Sequence, residues 1–347
     1  MSSEKCVEYR GSELFRQRLV VSILAARPVR ISGIREAQEN IGITDYEAAF
    51  LRLMDEVTNG SRIIINEAGT VVSHFPGLLT GGSLTFDCGT ERFPVDELKT
   101  GWLPVFRRFV LNDEALDIKI SKRGLAPDGG GEVLFSAPIV RQLRPVQALR
   151  QGRVKKIRGL AYATKVSPLM ATRMLESAKG LLRDLLGDVF ITSDHRKGPA
   201  GGNSPGYGLF LSAETTEGVV FVAEAVSKPS GSEDEPSTPE EVGETAAKRL
   251  LDEIARGGCT TSSAQSLACL FMVLGQKDIS KLLSGPLSHY TVGTLRLLWE
   301  LLEVRFRIER VAEAAGPDGE PLRIGPQERL QLTCLGVGYT NLAKTIL

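Results

Sequence analysis

The feature that most restricts how this chain can fold is an order of secondary structure that occurs near both of its ends. Between Ser12 and His74 the sequence predicts helix, strand, helix, strand and strand, because apolar residues recur first at helical and then at alternating spacing. The same order returns between Ser263 and Leu335. A supersecondary unit that occurs twice predicts a repeated α/β architecture.

The N-terminal unit has clear signals at its helix ends. A helix is predicted over Ser12–Ala26, and Pro28 forces the chain to leave it. Thr44-Asp-Tyr-Glu47 is a capping box that opens a second helix, predicted to continue to about Asn59-Gly60. His74 stands at the end of the last strand and is predicted to be structural.

The C-terminal unit is predicted with a longer final loop, over 312–327, which is rich in glycine and proline. Its predicted helices and strands, in chain order, are helix Ser263–Leu274, strand Asp278–Leu283, helix His289–Leu302, strand Glu303–Val311 and strand Arg329–Leu335.

The middle of the chain contains one predicted helix where the outer units have two. Val95–Val110 has helical spacing, although Gly101 and Pro104 weaken it, and two strand-like runs follow at Leu116–Ile120 and Glu132–Phe135. The Gly129-Gly-Gly131 run precedes a strand and not a helix, so it predicts a tight turn with close backbone packing rather than a phosphate loop.

A separate α/β segment is predicted between Arg153 and Gly257. Ser167-Pro168 and Thr238-Pro-Glu-Glu241 mark the starts of its two helices. A strand is predicted at Val189–Thr192, and His195 in the polar run after it is predicted to be a solvated loop histidine.

Composition excludes several classes of protein. Lys+Arg and Asp+Glu are both 42, so a protein that is basic over its whole surface is excluded, although one local basic face is not. The five cysteines form no C-x-x-C pair, and neither histidines nor acids have metal-ligand spacing, so we predict no metal site. With no apolar leader and no membrane-spanning run, we expect a reducing compartment, cytosol or nucleus.

Several stretches share their order and motifs with one enzyme superfamily. The strongest are Ser193-Asp-His-Arg-Lys-Gly198, Ser204-Pro-Gly-Tyr-Gly208, and Gly285-Pro-Leu-Ser288 followed by Val304-Arg-Phe306; weaker ones are Leu14–Val21, Arg123–Val133 and Lys156–Gly159. Together they run nearly end to end. The chain therefore resembles the RNA 3′-terminal phosphate cyclase superfamily, and more closely its eukaryotic cyclase-like branch.

The resemblance implies an α/β (α+β) fold of three βαβαββ-type repeats in a main domain, with a smaller α/β insert domain. It implies the first repeat and a shortened second repeat over 1–152, the insert over 153–257 and the third repeat over 258–347. Between Cys88 and Val95 the chain lacks a stretch about as long as a helix–strand pair of the family, which indicates either a reduced second repeat in this lineage or a splice or gene-model variant of the sequence. Such a loss should leave apolar surface uncovered on neighbouring elements.

The superfamily's enzymes transfer AMP from ATP to a histidine and use it to activate an RNA 3′-phosphate for ring closure. His289 follows Ser288 at the mouth of a predicted helix, where the helix dipole attracts anions. Counted forward from Pro286, the family's histidine falls on His289, whereas counted back from Val304-Arg-Phe306 it falls on Tyr290. We favour Tyr290, because the backward count crosses a helix, which resists one-residue slips.

Two further motifs depart from the enzymes. The cyclase phosphate loop E-G-G-G-Q reads Tyr9-Arg-Gly-Ser-Glu13, and the cyclase A-D-Q reads Ala264-Gln265-Ser266. We therefore predict no catalytic residue and no cofactor, and a remnant anion-binding cleft at Arg16, Ser288 and Tyr290. The alternative is an RNA 3′-terminal phosphate cyclase that uses ATP through an adenylated His289. A third possibility, cleavage of precursor RNA, has no acidic pair or metal cluster to support it.

One dense positive run is a candidate binding segment. It has no acid among its cationic members, which are Arg141, Arg144, Arg150, Arg153, Lys155, Lys156 and Arg158. The run is predicted either to contact RNA phosphates or an acidic partner, or to be a solvated linker between the main domain and the insert. The residues leave this choice open.

What the resemblance implies for function is a non-catalytic role in ribosome biogenesis. The expected residence is the nucleus, in the nucleolus, and the expected process is early processing of small-subunit (18S) pre-rRNA. The expected partners are a ribosome-assembly GTPase, proteins of the small-subunit processome and pre-rRNA, with no membrane association.

Overall fold

The computed structural model describes residues 6–87, 93–110, 115–229, 231, 235–311 and 329–341. The chain divides into two compact units. The smaller unit holds the described residues 6–87, 289–305 and 341, and the larger unit holds those of 93–288 and 306–340.

The described residues form both helices and strands, in a mixed order. The helices are α1 Phe15–Ala25, α2 Asp45–Glu56, α3 Val95–Glu97, α4 Leu103–Phe109, α5 Leu169–Leu182, α6 Pro239–Arg256, α7 Gln265–Leu274 and α8 His289–Leu302. The strands are β1 Val7–Arg10, β2 Val29–Ser32, β3 Thr58–Asn59, β4 Arg62–Ile65, β5 Val72–Phe75, β6 Leu78–Leu79, β7 Asp117–Lys122, β8 Glu132–Ser136, β9 Gln147–Ala148, β10 Val154–Thr164, β11 Val189–Arg196, β12 Gly206–Thr215, β13 Val220–Val226, β14 Ile279–Ser284, β15 Arg307–Val311 and β16 Arg329–Leu335.

The smaller unit is a four-stranded sheet with the order β1-β2-β5-β4. β1 and β2 are parallel, and the other two pairs are antiparallel. Helix α1 packs against β2 and against α8, while α2 packs against α1 and β4. Its fully buried residues include Leu19, Val29, Ile31, Ile34 and Val72. Apolar side chains of α1 and of alternate strand positions thus form one core.

Helix α2 starts as predicted but ends earlier. The Glu47 carboxylate accepts a hydrogen bond from the Thr44 amide at 2.9 Å and two from the Arg35 guanidinium, both at 2.7 Å. The positive charge of Arg35 therefore compensates the negative charge of Glu47. The helix stops at Glu56, because the Thr58 hydroxyl donates to the Met54 carbonyl and β3 then pairs with β6.

In the larger unit a second sheet has the order β11-β10-β12-β13 and is covered by α5 and α6. The two helices touch closely, because a side chain at Gly243 would lie 2.5 Å from the Met174 carbonyl oxygen. Phe221 and Leu209 of the sheet and Leu250 of α6 are fully buried. The capping box at Thr238 is complete, with hydrogen bonds in both directions between Thr238 and Glu241.

A third sheet, also in the larger unit, has the order β9-β14-β16-β15. β9 and β14 are parallel, and the other two pairs are antiparallel. Strand order and direction are the same as in β1-β2-β5-β4 of the smaller unit. β9 precedes the α5–α6 segment in the chain and β14 follows it, so that segment interrupts the chain between two neighbouring strands of one sheet.

The middle segment contains α3, α4 and the two-stranded sheet β7–β8. The predicted helix at Val95–Val110 is interrupted by a π-helical turn over Leu98–Trp102, because Gly101 packs against Val222 where a side chain would clash. Within the described residues this segment holds one helical stretch and two strands. The structure is thus a mixed α/β fold with several mixed sheets; the predicted domain boundaries at 152 and 257 stay a prediction.

Candidate functional site

One group of candidate residues lies in the smaller unit, at the start of α8. His289 is the first residue of this helix and is exposed. Tyr290 is half-buried, and its hydroxyl accepts a hydrogen bond from the Gln17 side chain of α1. Burial raises the pKa of Tyr290, and the nearby positive charge of Arg16 partly opposes this. The structure therefore brings together Arg16 and Tyr290, two of the three predicted cleft residues.

The loop Tyr9–Glu13 is held from inside by a buried arginine that the sequence analysis missed. The Arg18 guanidinium donates to the Gly11 carbonyl at 2.7 Å and lies 4.8 Å from the ring centroid of Tyr9. Burial lowers the pKa of Arg18. A loop that turns a carbonyl toward a protein cation is arranged differently from one that turns its amides toward a phosphate. The sequence did contain a signal for this role, because Arg18 stands next to Leu19 on the face of α1 that was expected to be buried.

A separate group of candidate residues lies in the larger unit, around Gln265. This side chain is buried, and its amide nitrogen donates to the Ser284 hydroxyl and to the Pro286 carbonyl, both at 3.1 Å. Its amide oxygen accepts from the Ser288 backbone N–H at 3.3 Å. Gln265 thus uses both ends of its amide to fix the segment that leads into α8. It also occupies the Ser288 amide, one of the groups an anion would need.

Ser288 belongs to the larger unit, whereas Arg16 and Tyr290 belong to the smaller one. The three-residue anion cleft therefore stays a prediction.

The basic run is divided by its ion pairs. Lys155 and Lys156 both contact Glu214 at 2.7 Å, and Arg158 forms a bidentate pair with Asp188 at 2.8 and 3.1 Å. Accordingly, the hydrogen bonds from the two lysines lower the pKa of Glu214.

Among the described residues, the other cations of the run form no ion pair with a carboxylate. Arg144 donates to the Arg108 carbonyl at 2.7 Å. The side chains of Arg141, Arg150 and Arg153 are exposed and form no ion pair in the part of the chain that the structure describes. Within the described residues these three side chains, unlike Arg144, also make no hydrogen bond, and we call them the arginine triplet.

The first four residues of the Ser193–Gly198 motif belong to strand β11, whereas a solvated loop was predicted for the motif. β11 continues to Arg196, because its residues keep pairing with β10 up to Thr164. His195 is half-buried, and its Nε2 contacts the Val166 carbonyl oxygen at 2.9 Å. The solvated-loop prediction for His195 was wrong, because strand pairing outweighed the polar character of the run.

Asp194 of this motif belongs to a buried charge cluster. Arg123 is 10% exposed, forms a bidentate pair with Asp96 at 2.6 and 3.0 Å, and contacts Asp194 at 3.4 Å. Its guanidinium lies 4.4 Å from the ring centroid of Tyr162. Burial alone would lower the pKa of Arg123, but the hydrogen bonds and charge of Asp96 raise it above its ordinary value.

The glycine run after Asp128 forms the tight turn that was predicted. Gly129 and Gly130 have positive φ, and a side chain at Gly130 would lie within 3 Å of Asn203. The Asn203 amide donates to the Gly129 carbonyl at 2.9 Å. The turn is therefore used for packing.

Among the described residues, no group of three or more His, Cys, Asp or Glu side chains is placed to hold a metal ion. Within the same residues, no helix is both long and apolar enough to cross a bilayer.

Comparison with known proteins identifies one family. Residues 7–92 match the family model described as RNA 3′-terminal phosphate cyclase, and residues 149–255 match that of its insert domain. A mouse RNA 3′-terminal phosphate cyclase-like protein is 43% identical over 98% of both chains. The fission yeast rRNA processing protein rcl1 is 34% identical over the full length of both chains.

A Caenorhabditis elegans cyclase-like protein is 46% identical over 380 alignment positions that cover both chains completely. Because this chain has 347 residues, roughly thirty positions of that alignment hold no residue of it.

Proposed function

Because the chain belongs to the RNA 3′-terminal phosphate cyclase family, as one of its cyclase-like proteins, we propose that it acts in ribosomal RNA processing without catalysing cyclisation. The observation that carries this proposal is the position of Gln265. It stands where the cyclase motif has an acid, and it is buried with both ends of its amide bonded to the segment before α8. A residue used in this way holds the backbone and leaves no carboxylate for chemistry on ATP.

The process is proposed from the relatives. The fission yeast protein is named for rRNA processing, and the mouse protein is named cyclase-like and not cyclase. We extend this to early processing of small-subunit pre-rRNA in the nucleolus. There the chain would serve as a scaffold bound to a ribosome-assembly GTPase among the proteins of the small-subunit processome.

We also propose that the fold consists of three βαβαββ-type repeats, the second of them shortened. The sheets β1-β2-β5-β4 and β9-β14-β16-β15 share strand order and direction, which supports the first and third repeats. The α4–β7–β8 segment has the helix and hairpin that end both of them. The roughly thirty unmatched positions of the nematode alignment agree in size with a missing helix–strand pair.

The absence of adenylylation is directly testable. On incubation with magnesium and ATP labelled at its α-phosphate, the protein should acquire no covalent label, because Tyr290 and Gln265 replace the groups this step needs. A cyclase of the same family, assayed in parallel by gel autoradiography, provides the positive control. A covalent AMP adduct that disappears in His289→Ala would show that the chain is an enzyme.

The arginine triplet is proposed to contact the phosphates of pre-rRNA. Replacing Arg141, Arg150 and Arg153 together by glutamate should weaken binding to a single-stranded RNA by about tenfold or more and reduce the salt slope by about 2, since each lost phosphate contact contributes about 0.7. Fluorescence anisotropy over a salt series measures both quantities.

A matched control exchanges the charges of a pair in the same segment. Arg158→Asp combined with Asp188→Arg keeps the local net charge, so RNA affinity and salt slope should stay as in the wild type. Equal losses in the control and in the triplet variant would mean that the triplet carries no specific contact. An unchanged RNA affinity with weakened binding of the GTPase would reassign the triplet to a protein partner.

A further inference from the structure

Strand β8 has the composition of an interior strand and lies at an edge. Its sequence is Glu132-Val-Leu-Phe-Ser136, and every residue of it is exposed. The three apolar side chains, which alternate between the two faces, are 44% (Val133), 61% (Leu134) and 55% (Phe135) exposed. Edge strands of stable proteins usually carry charge or proline that blocks pairing with another chain. Between its two terminal residues, β8 carries neither.

The strand that β8 does pair with is protected in the usual way. β7 reads Asp-Ile-Lys-Ile-Ser-Lys, so charged side chains alternate with apolar ones along it. Its pairing with β8 is antiparallel, with Lys119 opposite Leu134. Of the two strands, β8 is therefore the one whose free edge is open to a further strand.

Two other sheets of this protein contain a helix followed by a hairpin, as α4 is followed by β7–β8. In each of them the second hairpin strand has a further strand beside it. After α2 the hairpin is β4–β5, and β5 also pairs with β2 in antiparallel direction. After α8 the hairpin is β15–β16, and β16 also pairs with β14 in antiparallel direction. After α4, β8 pairs with β7 alone within the described residues. An antiparallel neighbour is thus what the free edge of β8 accepts.

We propose that β8 pairs with β8 of a second copy of this chain, across a two-fold axis, to form a homodimer. A two-fold axis perpendicular to the sheet makes two identical edge strands antiparallel, so one strand supplies the direction that the edge accepts. Centred on Leu134, the pairing places Leu134 opposite Leu134 of the partner subunit and Val133 opposite Phe135 of the partner subunit. Pairs of aromatic and β-branched residues stabilise antiparallel sheets.

The charges of the strand fit the same register. Glu132 lies at one end of β8 and Ser136 at the other, so Glu132 faces Ser136 of the partner subunit and like charges do not oppose each other. Lys122 already pairs with Glu132 at 2.7 Å within one copy. Because the contact is one pair of five-residue strands, we expect a reversible dimer of the kind formed by small interfaces.

Sedimentation velocity over a protein concentration series tests this proposal. The wild type should shift from monomer to dimer as its concentration rises. Leu134→Lys and Leu134→Glu should each raise the dissociation constant by about tenfold or more, because each places like charges opposite one another at the axis. An equimolar mixture of the two variants should regain association, since opposite charges then meet.

Leu169→Lys, at an exposed leucine of α5 in the same unit, is the control for adding a surface lysine and should associate like the wild type. Circular dichroism establishes that each variant is folded. A wild type that stays monomeric at every concentration overturns the proposal. Association that survives Leu134→Lys overturns it too, because another surface would then hold the dimer. A mixture that fails to associate refutes the register centred on Leu134.

Discussion

Replacing Arg123 by methionine should lower the free energy of unfolding of the larger unit by about 3–5 kcal/mol, because it leaves a buried carboxylate without its cation. Arg123 is 10% exposed and holds Asp96, whose side chain is 11% exposed, through two short hydrogen bonds. Asp96 lies in α3, whereas Asp194, the second carboxylate that Arg123 contacts, lies in β11. The substitution therefore removes the link between α3 and β11 and leaves the Asp96 carboxylate buried without a cation.

The cluster around Arg123 is more than one pair. Arg196 donates to the same Asp194 oxygen at 3.0 Å, and the Tyr162 ring, which lies under Arg123, donates its hydroxyl to Glu224 at 2.5 Å. Gly208 leaves the space that Tyr162 needs, since a side chain there would lie 2.5 Å from the Tyr162 hydroxyl. A planar guanidinium fits two carboxylates and a ring face at once, so Arg123→Lys should recover only part of the loss.

Tryptophan fluorescence makes this loss measurable in one unit. The chain has two tryptophans, of which Trp102 lies in the larger unit and Trp299 in the smaller one. In a Trp299→Phe background, denaturation followed at Trp102 reports the larger unit alone. Arg173→Met is the matched control, because Arg173 forms an equally short bidentate pair with Glu240 at the surface, 43% and 44% exposed, where solvent screening leaves an ion pair little effect on stability.

Equal destabilisation by Arg123→Met and Arg173→Met would contradict the view that burial makes the Arg123 pair important. A second result bears on the same point. If Asp96→Asn combined with Arg123→Met costs less than Arg123→Met alone, the uncompensated carboxylate is the cause.

Local signals in the sequence predicted those elements whose ends depend on neighbouring residues. α8 has the predicted bounds, because apolar residues recur at helical spacing between Ser288 and Glu303 and not beyond them. The Thr238 capping box and the stop at Gly257 likewise involve contacts within a few residues. Elements fixed by distant pairing were missed: β9 is two residues long and exists only because β14 lies beside it, and Thr58–Asn59 leaves the helix because β6 pairs with it.

The candidate site was predictable in its residue types and less so in their roles. Glu214 faces Lys156 across β10 and β12, fifty-eight residues apart in the chain, so the run alone could not show that two of its lysines are compensated. The sequence showed Gln265 only as the replacement of an acid. Its hydrogen-bond partners Ser284, Pro286 and Ser288 could be identified only once the structure had placed α7 beside the end of β14. Register and tertiary contact, absent from any one segment, supplied both roles.

Lowering the pH from about 6.5 to about 4 should destabilise the smaller unit by about 3 kcal/mol through His74 alone. His74 is fully buried, and desolvation lowers its pKa from an ordinary 6.5 to about 4. Its Nδ1 lies 3.1 Å from the Ser22 hydroxyl, which donates its own hydrogen to the Arg27 carbonyl and so accepts a hydrogen bond from Nδ1–H. Because burial disfavours the charged ring, the native state holds His74 in its neutral form.

The sign follows from where the proton binds. Below pH 6.5 the unfolded chain takes up a proton at His74 while the folded chain does not. The free energy of unfolding therefore decreases as the pH is lowered, until the folded pKa near 4 is reached. In a Trp102→Phe background, denaturation followed at Trp299 measures the smaller unit. His74→Gln has no titrating ring, so its stability should fall by about 3 kcal/mol less than that of the parent between pH 7 and pH 4.

Histidine NMR signals supply the independent check, because His74 should titrate near pH 4 in the folded protein. A midpoint close to 6.5, or the same pH dependence in His74→Gln, would show that the ring accepts its proton without unfolding the core around Ser22.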